Sequence, residues 1–357
     1  MSSEQVEPGV VVEALGVPIG IPVSGEDAVR LRRQWSRAIT DRPATTVIDL
    51  HHLDAEQHVA HDYAITSLVT MAALETTAGQ RMNIHAGAVA DTSGRVLAVV
   101  GPSGSGKTTA IRLLAGRLGY VSDETVSVGE GLKVHAHSKP LSVISDPDQP
   151  RLKQSVSPDD IGLLRPPTES RLHRIVLLHR DGGEQGLVPL APAHAMPQIV
   201  AQTSSLMALE HPILRLADLI DACGGVWSLH YREIEDRLEE LVTLLDRDPQ
   251  PRPARVHHPG AGSTGSAVVP GTWRRAPWLD AMEYEDDLVV MVGDRVWVLA
   301  GLGLVLWLAL SGPHTLDELV SHTTDAWGAH PDATQLVSDA LALLAEDGLV
   351  IGPDSTA

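Results

Sequence analysis

Eight consecutive residues in the first third of the chain match the pattern G-x-x-x-x-G-K-[ST], which is suited to holding phosphate. In order, they are Gly101, Pro102, Ser103, Gly104, Ser105, Gly106, Lys107 and Thr108. Glycines let successive backbone N–H groups converge on phosphate oxygens, and the start of a following helix adds partial positive charge. Lys107 would reach the β- and γ-phosphates, and the Thr108 hydroxyl would ligate Mg²⁺. The pattern therefore predicts a site for ATP and Mg²⁺, with Thr109 also contacting the nucleotide.

An acidic pair follows this loop after a short interval. Asp123 lies sixteen residues beyond Lys107, and Glu124 follows it directly. A carboxylate near the γ-phosphate could accept a proton from an attacking hydroxyl, and a second could hold Mg²⁺. We therefore expect Asp123 and Lys107 to be catalytic, and Thr108, Glu124 and Asp123 to be the metal ligands.

The elements around the loop are those needed to position it. An apolar strand is predicted over 96–100, and a helix over 108–118 follows the loop. The helix must turn at Gly119 and lead into a strand that ends at the acidic pair. This short return keeps the strand close to the loop, which would bring Asp123 and Glu124 toward the phosphates.

Several motifs around the loop resemble the HPr kinase–like family. They are Ile84-His85-Ala86-Gly87-Ala88-Val89, the loop itself, Gly119-Tyr120-Val121-Ser122-Asp123-Glu124, and Ser138-Lys139-Pro140-Leu141-Ser142. The resemblance implies a fold shared with PEP carboxykinase and phosphoryl transfer from ATP to a serine. It places the family's strand histidine on His85 and its catalytic acid on Asp123. The Arg- and Gly-rich second signature of true HPr kinases has no clear match, which favours a divergent branch with another substrate.

The C-terminal segment resembles the PqqD-like fold, a small winged-helix module that recognises precursor peptides in ribosomal peptide biosynthesis. The matching features include the strand over 293–299, Leu306-Trp307, the helix start over 315–319, and Asp347-Gly348-Leu349-Val350. Such modules bind a leader peptide as an added strand. The alternatives are a packing or dimerisation unit without a peptide ligand, and a DNA-binding winged helix.

Composition sets the domain boundaries and limits the partners. We expect an α/β protein with a small N-terminal α/β unit over 1–82 and an HPr kinase–like ATP-binding domain over 83–247. A flexible linker rich in Pro and Gly would span 248–279, and a PqqD-like domain 280–357. The formal charge of −19 argues against nucleic acid or an anionic membrane as partner.

The location follows from what the chain lacks. Its longest apolar run, 296–310, is shorter than the roughly 20 residues of a membrane span, and no signal peptide opens the sequence. We expect a cytoplasmic protein with no membrane partner, for which a homo-oligomer remains compatible with the sequence.

Together these observations predict a kinase that phosphorylates a Ser or Thr hydroxyl of a ribosomally made precursor peptide, held through its leader. Lasso-peptide tailoring kinases are the branch that the resemblance suggests. A second possibility is a non-catalytic ATP-binding partner or regulator in a biosynthetic assembly, which would not need Asp123 as a proton acceptor. A small-molecule kinase would leave the C-terminal segment unexplained.

Overall fold

The chain combines helices with several β-sheets, which confirms the predicted α/β class. The computed structural model describes residues 9–51, 58–144, 153–181, 186–260 and 269–353. Two units result. Unit 1 comprises Met1–Leu190, Ala201–Leu209 and Ala222–Gln250, and unit 2 comprises Ala191–Val200, Glu210–Asp221 and Pro251–Ala357. The N-terminal segment therefore belongs to the same unit as the phosphate-type loop.

The N-terminal segment is a small sheet with helices beside it. Strands β1 (Val10–Ala14) and β2 (Val17–Ile21) pair antiparallel, and β3 (Thr46–Val47) runs parallel to β2. Helix α1 (Gly25–Gln34) follows β2, and α2 (His58–Thr77) leads toward the loop region. The buried apolar residues of α2 recur every four positions, so that one face packs on the sheet; they are Ile65, Val69 and Ala73.

A six-stranded mixed sheet forms the centre of unit 1. Its strands, in spatial order, are β13 (Gly186–Leu190), β15 (Val226–His230), β12 (Arg171–His179), β6 (Arg95–Val100), β5 (Ala86–Ala90) and β7 (Gly119–Ser122). The inner strands β15, β12 and β6 are parallel, and the others pair antiparallel. Helices α3 (Lys107–Leu114) and α6 (Leu238–Thr243) cover one face with buried aliphatic residues such as Ile111 and Leu241.

Two smaller sheets complete unit 1. One joins β14 (Thr203–Ser204), β4 (Met82–Ile84), β8 (Val126–Val128) and β9 (Val134–His135), and the other pairs β10 (Leu141–Ile144) with β11 (Lys153–Val156). The motif that begins at Ile84 is therefore divided between two strands, β4 and β5, which belong to different sheets. His85 lies at the joint between them.

Unit 2 contains a four-stranded antiparallel sheet and three helices that follow it in the chain. The sheet order is β16 (Val256–Pro259), β18 (Asp280–Glu283), β19 (Asp287–Val292) and β20 (Arg295–Ala300). The helices are α7 (Gly301–Ala309), α8 (Leu316–Trp327) and α9 (Ala333–Glu346). Two further short strands, β17 (Arg274–Arg275) and β21 (Val350–Ile351), pair antiparallel. Thr315 and Glu318 form a capping box at the start of α8, which fixes where that helix begins.

Two helices lie in a different unit from the one that the sequence suggested. Helix α4 (Pro192–Val200) and helix α5 (Pro212–Ala222) fall within the predicted ATP-binding domain, but they belong to unit 2, where α4 packs on β19 and β20. Helix α4 ends at Val200 and is followed by β14. An amphipathic pattern shows that a helix has an apolar face, but it does not show which sheet covers that face.

The predicted linker over 248–279 contains ordered structure. Residues 261–268 lie outside the described residues, but Val256–Pro259 forms the edge strand β16 and Arg274–Arg275 forms β17. Edge strands tolerate Pro and polar side chains because only one side of the strand is hydrogen-bonded. Parts of the segment predicted as a linker thus form strands, and its flexibility stays a prediction. Among the described helices, none is long and apolar enough to cross a membrane.

Candidate functional site

The candidate site lies at the edge of the six-stranded sheet where the parallel strands end. Val100 of β6 is in register with Leu177 of β12, and His179 of β12 is in register with His230 of β15. The residues that follow these strands therefore leave the sheet at the same edge. In open α/β sheets this is the edge where ligands bind.

The loop that follows β6 takes a conformation that depends on its glycines. Gly104 and Gly106 have φ angles of 83° and 88°, in the left-handed region that side chains disfavour. A Cβ on Gly104 would meet no atom within 4 Å, so that the loop is open there. Helix α3 begins directly afterwards, at Lys107. The N–H groups of its first turn have no acceptor within the helix and are available to an anion.

Lys107 is held inside the loop. Its side-chain ammonium donates hydrogen bonds to the carbonyl oxygens of Gly101 at 2.6 Å and Pro102 at 3.1 Å, and the residue is 7% exposed. Burial lowers the pKa of this ammonium. The two carbonyls keep the charge at the mouth of the loop, where phosphate oxygens could replace them as partners.

Tyr231, which follows β15, supports the loop from the sheet. Its hydroxyl donates to the backbone carbonyl of Ser105. A Cβ on Gly106 would lie 2.8 Å from that hydroxyl, so only glycine fits there without a shift. The Ser105 hydroxyl oxygen is buried and has no hydrogen-bond partner among the described residues. The loop therefore carries an unused polar group, which is unusual for a buried side chain.

The acidic pair is bridged by a lysine that the sequence analysis did not assign to the site. The ammonium of Lys139 lies 3.1 Å from Oδ1 of Asp123 and 3.2 Å from Oε2 of Glu124. Lys139 is 3% exposed and Asp123 is 7% exposed. Burial by itself lowers the pKa of Lys139, but the two carboxylates outweigh it and the pKa is raised. Lys139 therefore stays charged and neutralises one of the two acids.

Tyr120 adds a second donor to the same oxygen of Asp123. Its hydroxyl lies 3.0 Å from Oδ1 of Asp123. Burial, followed by the charge of Asp123, raises the pKa of Tyr120 well above its usual value, so the hydroxyl remains a donor. Within the part of the chain that the structure describes, the recorded partners of this carboxylate are on Oδ1. In that part of the chain, no hydrogen bond or ion pair engages the other oxygen, Oδ2.

His85 faces the same charges from the joint between β4 and β5. Burial, followed by the charge of Lys107, lowers the pKa of its imidazole, although Glu124 and Asp123 oppose this shift. The ring is therefore neutral near pH 7. A neutral imidazole beside a phosphate-type loop can donate or accept one hydrogen bond without adding charge.

A cleft of about 500 Å³ brings most of the predicted residues together. This volume lies within the roughly 300–1,000 Å³ of small-molecule sites. Predicted residues that line it are His85, Ser103, Gly104, Gly106, Lys107, Thr108, Thr109, Asp123 and Glu124. Gly101, Pro102 and Ser105 are not among its lining residues. They shape the loop from behind through the contacts of Lys107 and Tyr231.

The cleft also has lining residues that sequence reasoning missed. They are Tyr63, Thr66 and Ser67 of α2, together with Lys139, Ser142 and Arg180. The α2 residues come from a segment in which the sequence showed no chemistry. Arg180 follows β12 and reaches the cleft through the parallel pairing of that strand with β6. Lys139 and Ser142 carried one signal, because both lie in the motif Ser138-Lys139-Pro140-Leu141-Ser142, to which the sequence analysis gave no role in the site.

The donors in the cleft are of the kinds that a magnesium nucleotide uses. The loop N–H groups, Lys107 and Arg180 suit phosphate oxygens, and the Thr108 hydroxyl with the carboxylates of Asp123 and Glu124 offers the oxygen ligands that Mg²⁺ prefers. The unpartnered Ser105 hydroxyl and the open space at Gly104 are consistent with a ligand on the loop. Lys139 contacts both carboxylates and would compete with a metal ion for them.

Comparisons with known proteins do not assign this chain to a family. No protein-family model matches the sequence, and a search of curated proteins found no match.

Proposed function

We propose that this chain is an ATP-dependent kinase that phosphorylates a serine or threonine hydroxyl of a ribosomally made precursor peptide. The observation that carries the proposal is the cleft of unit 1, which combines the glycine loop, Lys107 and Asp123. In this proposal unit 1 is a phosphate-loop core of the HPr kinase–like kind. Unit 2 contains a PqqD-like winged helix.

The nucleotide would be held mainly by the loop. Its backbone N–H groups and Lys107 would bind the phosphates, while Thr108 and Glu124 would hold Mg²⁺ with Asp123 close by. Magnesium supplies charge neutralisation on the phosphate oxygens when it is bound. Lys107 would exchange its hydrogen bonds to Gly101 and Pro102 for phosphate oxygens.

Asp123 is the group best placed to take the proton of the acceptor hydroxyl. Tyr120 and Lys139 hold its Oδ1 and thereby fix the orientation of the carboxylate. Oδ2 would accept the proton as the hydroxyl oxygen bonds to the γ-phosphorus and the bond to ADP breaks. His85, being neutral, would hydrogen-bond a phosphate or the acceptor and would not compete as a charge.

The acceptor peptide would be recruited by unit 2. Strand β20 pairs with β19 on one side, and no described strand pairs with its other side. Such an edge can accept an extended peptide through backbone hydrogen bonds. A leader held there would raise the effective concentration of the acceptor hydroxyl at the cleft. This assignment, together with a cytoplasmic location, would account for the presence of both units in one chain.

One contact favours a second candidate function. The pairing of Lys139 with both Asp123 and Glu124 would weaken the proton acceptor and the metal ligand if it persisted after nucleotide binding. The chain would then be an ATP-binding regulator within a biosynthetic assembly. The two functions differ in whether ATP is consumed.

The deciding experiment incubates the intact chain with ATP, Mg²⁺ and synthetic precursor peptides, with and without their leaders. We expect a mass increase of one phosphoryl group on the leader-bearing peptide, and inhibition by free leader added in trans. ATP binding without phosphopeptide or ADP formation for any acceptor would instead support the regulator. The same experiment is repeated with Lys107→Ala. Its matched control is Lys133→Ala, because Lys133 is an exposed lysine that does not line the cleft.

A further inference from the structure

Unit 2 brings two histidines and an aspartate together from three separate segments of the chain. His211 precedes α5, His257 lies in β16, and Asp280 begins β18. One potential ligand atom from each of them lies within 4.8 Å of the others. None of these residues takes part in the cleft of unit 1.

The strand register explains how two of the three meet. In the antiparallel pair of β16 with β18, His257 is opposite Met282. Asp280 is two residues before Met282, so it lies on the same face of the sheet as His257. The Nε2 atom of His257 is 2.6 Å from Oδ1 of Asp280.

The carboxylate of Asp280 is unusually well held. The residue is fully buried, and its Oδ2 accepts the backbone N–H groups of Ile213 at 2.9 Å and Leu214 at 3.0 Å. Those two groups belong to the first turn of α5, which is left without helical acceptors. Oδ2 is thereby used in fixing the orientation of the carboxylate, and Oδ1 points to the histidines. Supporting hydrogen bonds of this kind are typical of carboxylates that ligate metals.

His211 reaches the pair by way of an unfavourable backbone. Its φ angle is 49°, in the left-handed region, and it directly precedes Pro212. Non-glycine residues rarely adopt this conformation, which is found at positions where the surroundings enforce it. The imidazole lies edge-on to that of His257, with ring centroids 5.2 Å apart. The exposed Glu210 adds negative charge beside it, with a carboxylate oxygen 3.9 Å from its Nε2.

We propose that His211, His257 and Asp280 form a binding site for a divalent transition metal, with Zn²⁺ as the favoured ion. Two imidazoles and one carboxylate suit Zn²⁺ better than Mg²⁺ or Ca²⁺, which prefer oxygen ligands. Tetrahedral ligands about 2.0–2.1 Å from zinc lie about 3.3 Å apart, so His257 and Asp280 would separate by a fraction of an ångström. The fourth position would take water or Glu210.

Bound metal would fasten the start of α5 to the sheet of unit 2. The three ligands come from the segment before α5, from edge strand β16 and from β18, so one ion would cross-link parts of the chain that are distant in sequence. This inference is independent of the proposed kinase activity, because it uses no residue of the cleft.

A neighbouring pair provides an internal control. His258, the next residue on β16, has its Nε2 2.7 Å from Oε2 of Glu283, and these two residues lie on the opposite face of the same two strands. Among the described residues, no second histidine joins that pair to complete a three-ligand group. If both pairs were only His–carboxylate hydrogen bonds, they should behave alike toward a metal ion. A metal site at His211, His257 and Asp280 would bind the ion there and not at the pair of His258 and Glu283.

The test uses the full chain after removal of metals with a chelator, in buffer without nucleotide or Mg²⁺. Titration with Co²⁺, followed by its visible absorption, and with Zn²⁺ against a competing chelator gives stoichiometry and affinity. We expect one ion per chain and a raised Tm. His211→Ala should weaken binding by at least about tenfold, a scale seen even when supporting residues of metal sites are lost.

Three variants make the result decisive. His211 is exposed, so its replacement should leave unit 2 folded, which circular dichroism would verify. His258→Gln and Lys107→Ala should bind the ion as the unaltered chain does. Failure of the unaltered chain to bind one ion, equal affinity in His211→Ala, or an equal loss in His258→Gln would overturn the proposal.

Discussion

The cleft of unit 1 and the histidine cluster of unit 2 handle buried charge in opposite ways. In the cleft, the cations Lys107 and Lys139 are held by carbonyl and carboxylate oxygens, and the loop N–H groups add further donors. In the cluster, a buried carboxylate faces two imidazoles, which can be neutral ligands. The first arrangement suits the phosphates of a nucleotide with its Mg²⁺, and the second suits a transition-metal ion alone. Each site can therefore be tested with a ligand that the other should ignore.

The largest effect is expected for Lys107, the residue proposed to bind the phosphates. Lys107→Ala should reduce nucleotide binding or phosphoryl transfer by about 10³-fold or more, on the scale of about 4 kcal/mol, because it removes the loop's buried cation. The fold should persist, since only the Gly101 and Pro102 carbonyls lose a partner. Calorimetric titration with ATP measures the affinity of Lys107→Ala, and Lys133→Ala is titrated in parallel as the control. Unchanged affinity and activity would remove the loop from the proposed mechanism.

A smaller effect is expected for the proton acceptor. Asp123→Asn keeps the shape of the side chain but removes its basicity, so phosphoryl transfer should fall by about 10²-fold while ATP still binds. Steady-state kinetics and ATP titration on the same preparation separate the two effects. Turnover near that of the unaltered chain would favour the regulator over the kinase.

Replacement of Lys139 tests whether the acidic pair, Asp123 and Glu124, needs a positively charged partner for stability. Lys139→Met leaves Asp123 buried beside Glu124 without a positive partner, and should lower the free energy of unfolding by about 2 kcal/mol. This is below the usual penalty for a broken buried pair, because Glu124 is about one-third exposed. Urea unfolding at pH 7 measures it, and Lys139→Arg should restore most of the loss. Equal stability of the Met and unaltered chains would contradict the pairing.

The smallest effect concerns a buried histidine of unit 1 that does not line the cleft. His137 is fully buried, and its Nε2 is 2.9 Å from the Thr70 hydroxyl. Burial, followed by the charge of Lys139, lowers its pKa to about 3. The unfolded chain therefore binds a proton at this residue below about pH 6.5, where the folded chain does not. This contribution to stability is complete above pH 6.5 and is lost progressively on acidification toward pH 3.

The measurement compares the unfolding free energy at pH 7 and pH 5.5. Replacement of His137 by Gln, which removes the titration, should reduce the acid-induced loss by about 1 kcal/mol. Other histidines with lowered pKa values, including His135 and His173, change stability in the same direction and set the remaining slope. An identical pH dependence in the variant would show that His137 titrates as it does in the unfolded chain.

The intact chain is needed to test the peptide-recognition role. Deletion of 280–357 would remove three strands of the unit 2 sheet and leave α4 and α5 without it, because both helices belong to that unit. Loss of activity after such a deletion would not distinguish recognition from misfolding. Competition by free leader, with KM measured for leader-bearing and leaderless peptides, avoids this difficulty.

The sequence by itself determined the features that depend on neighbouring residues. The glycine spacing, Lys107 and Thr108 were evident because the strand, loop and helix that form them are contiguous, and the structure places them as β6, the loop and α3. Asp123 could be placed near the loop because a short helix and a tight turn leave the chain little freedom. The α/β class followed from local strand and helix patterns in the same way.

The tertiary structure alone decided which distant residues meet. Arg180 and Tyr231 reach the loop because β12 and β15 run parallel to β6, and Lys139 reaches Asp123 from a segment beyond the acidic pair. The assignment of α4 and α5 to unit 2, and the meeting of His211, His257 and Asp280, depended on the same kind of pairing. Local patterns specify that a strand or an apolar face exists. Which other element a strand or an apolar face packs against depends on residues that are distant in the sequence. A short stretch of sequence therefore does not determine it.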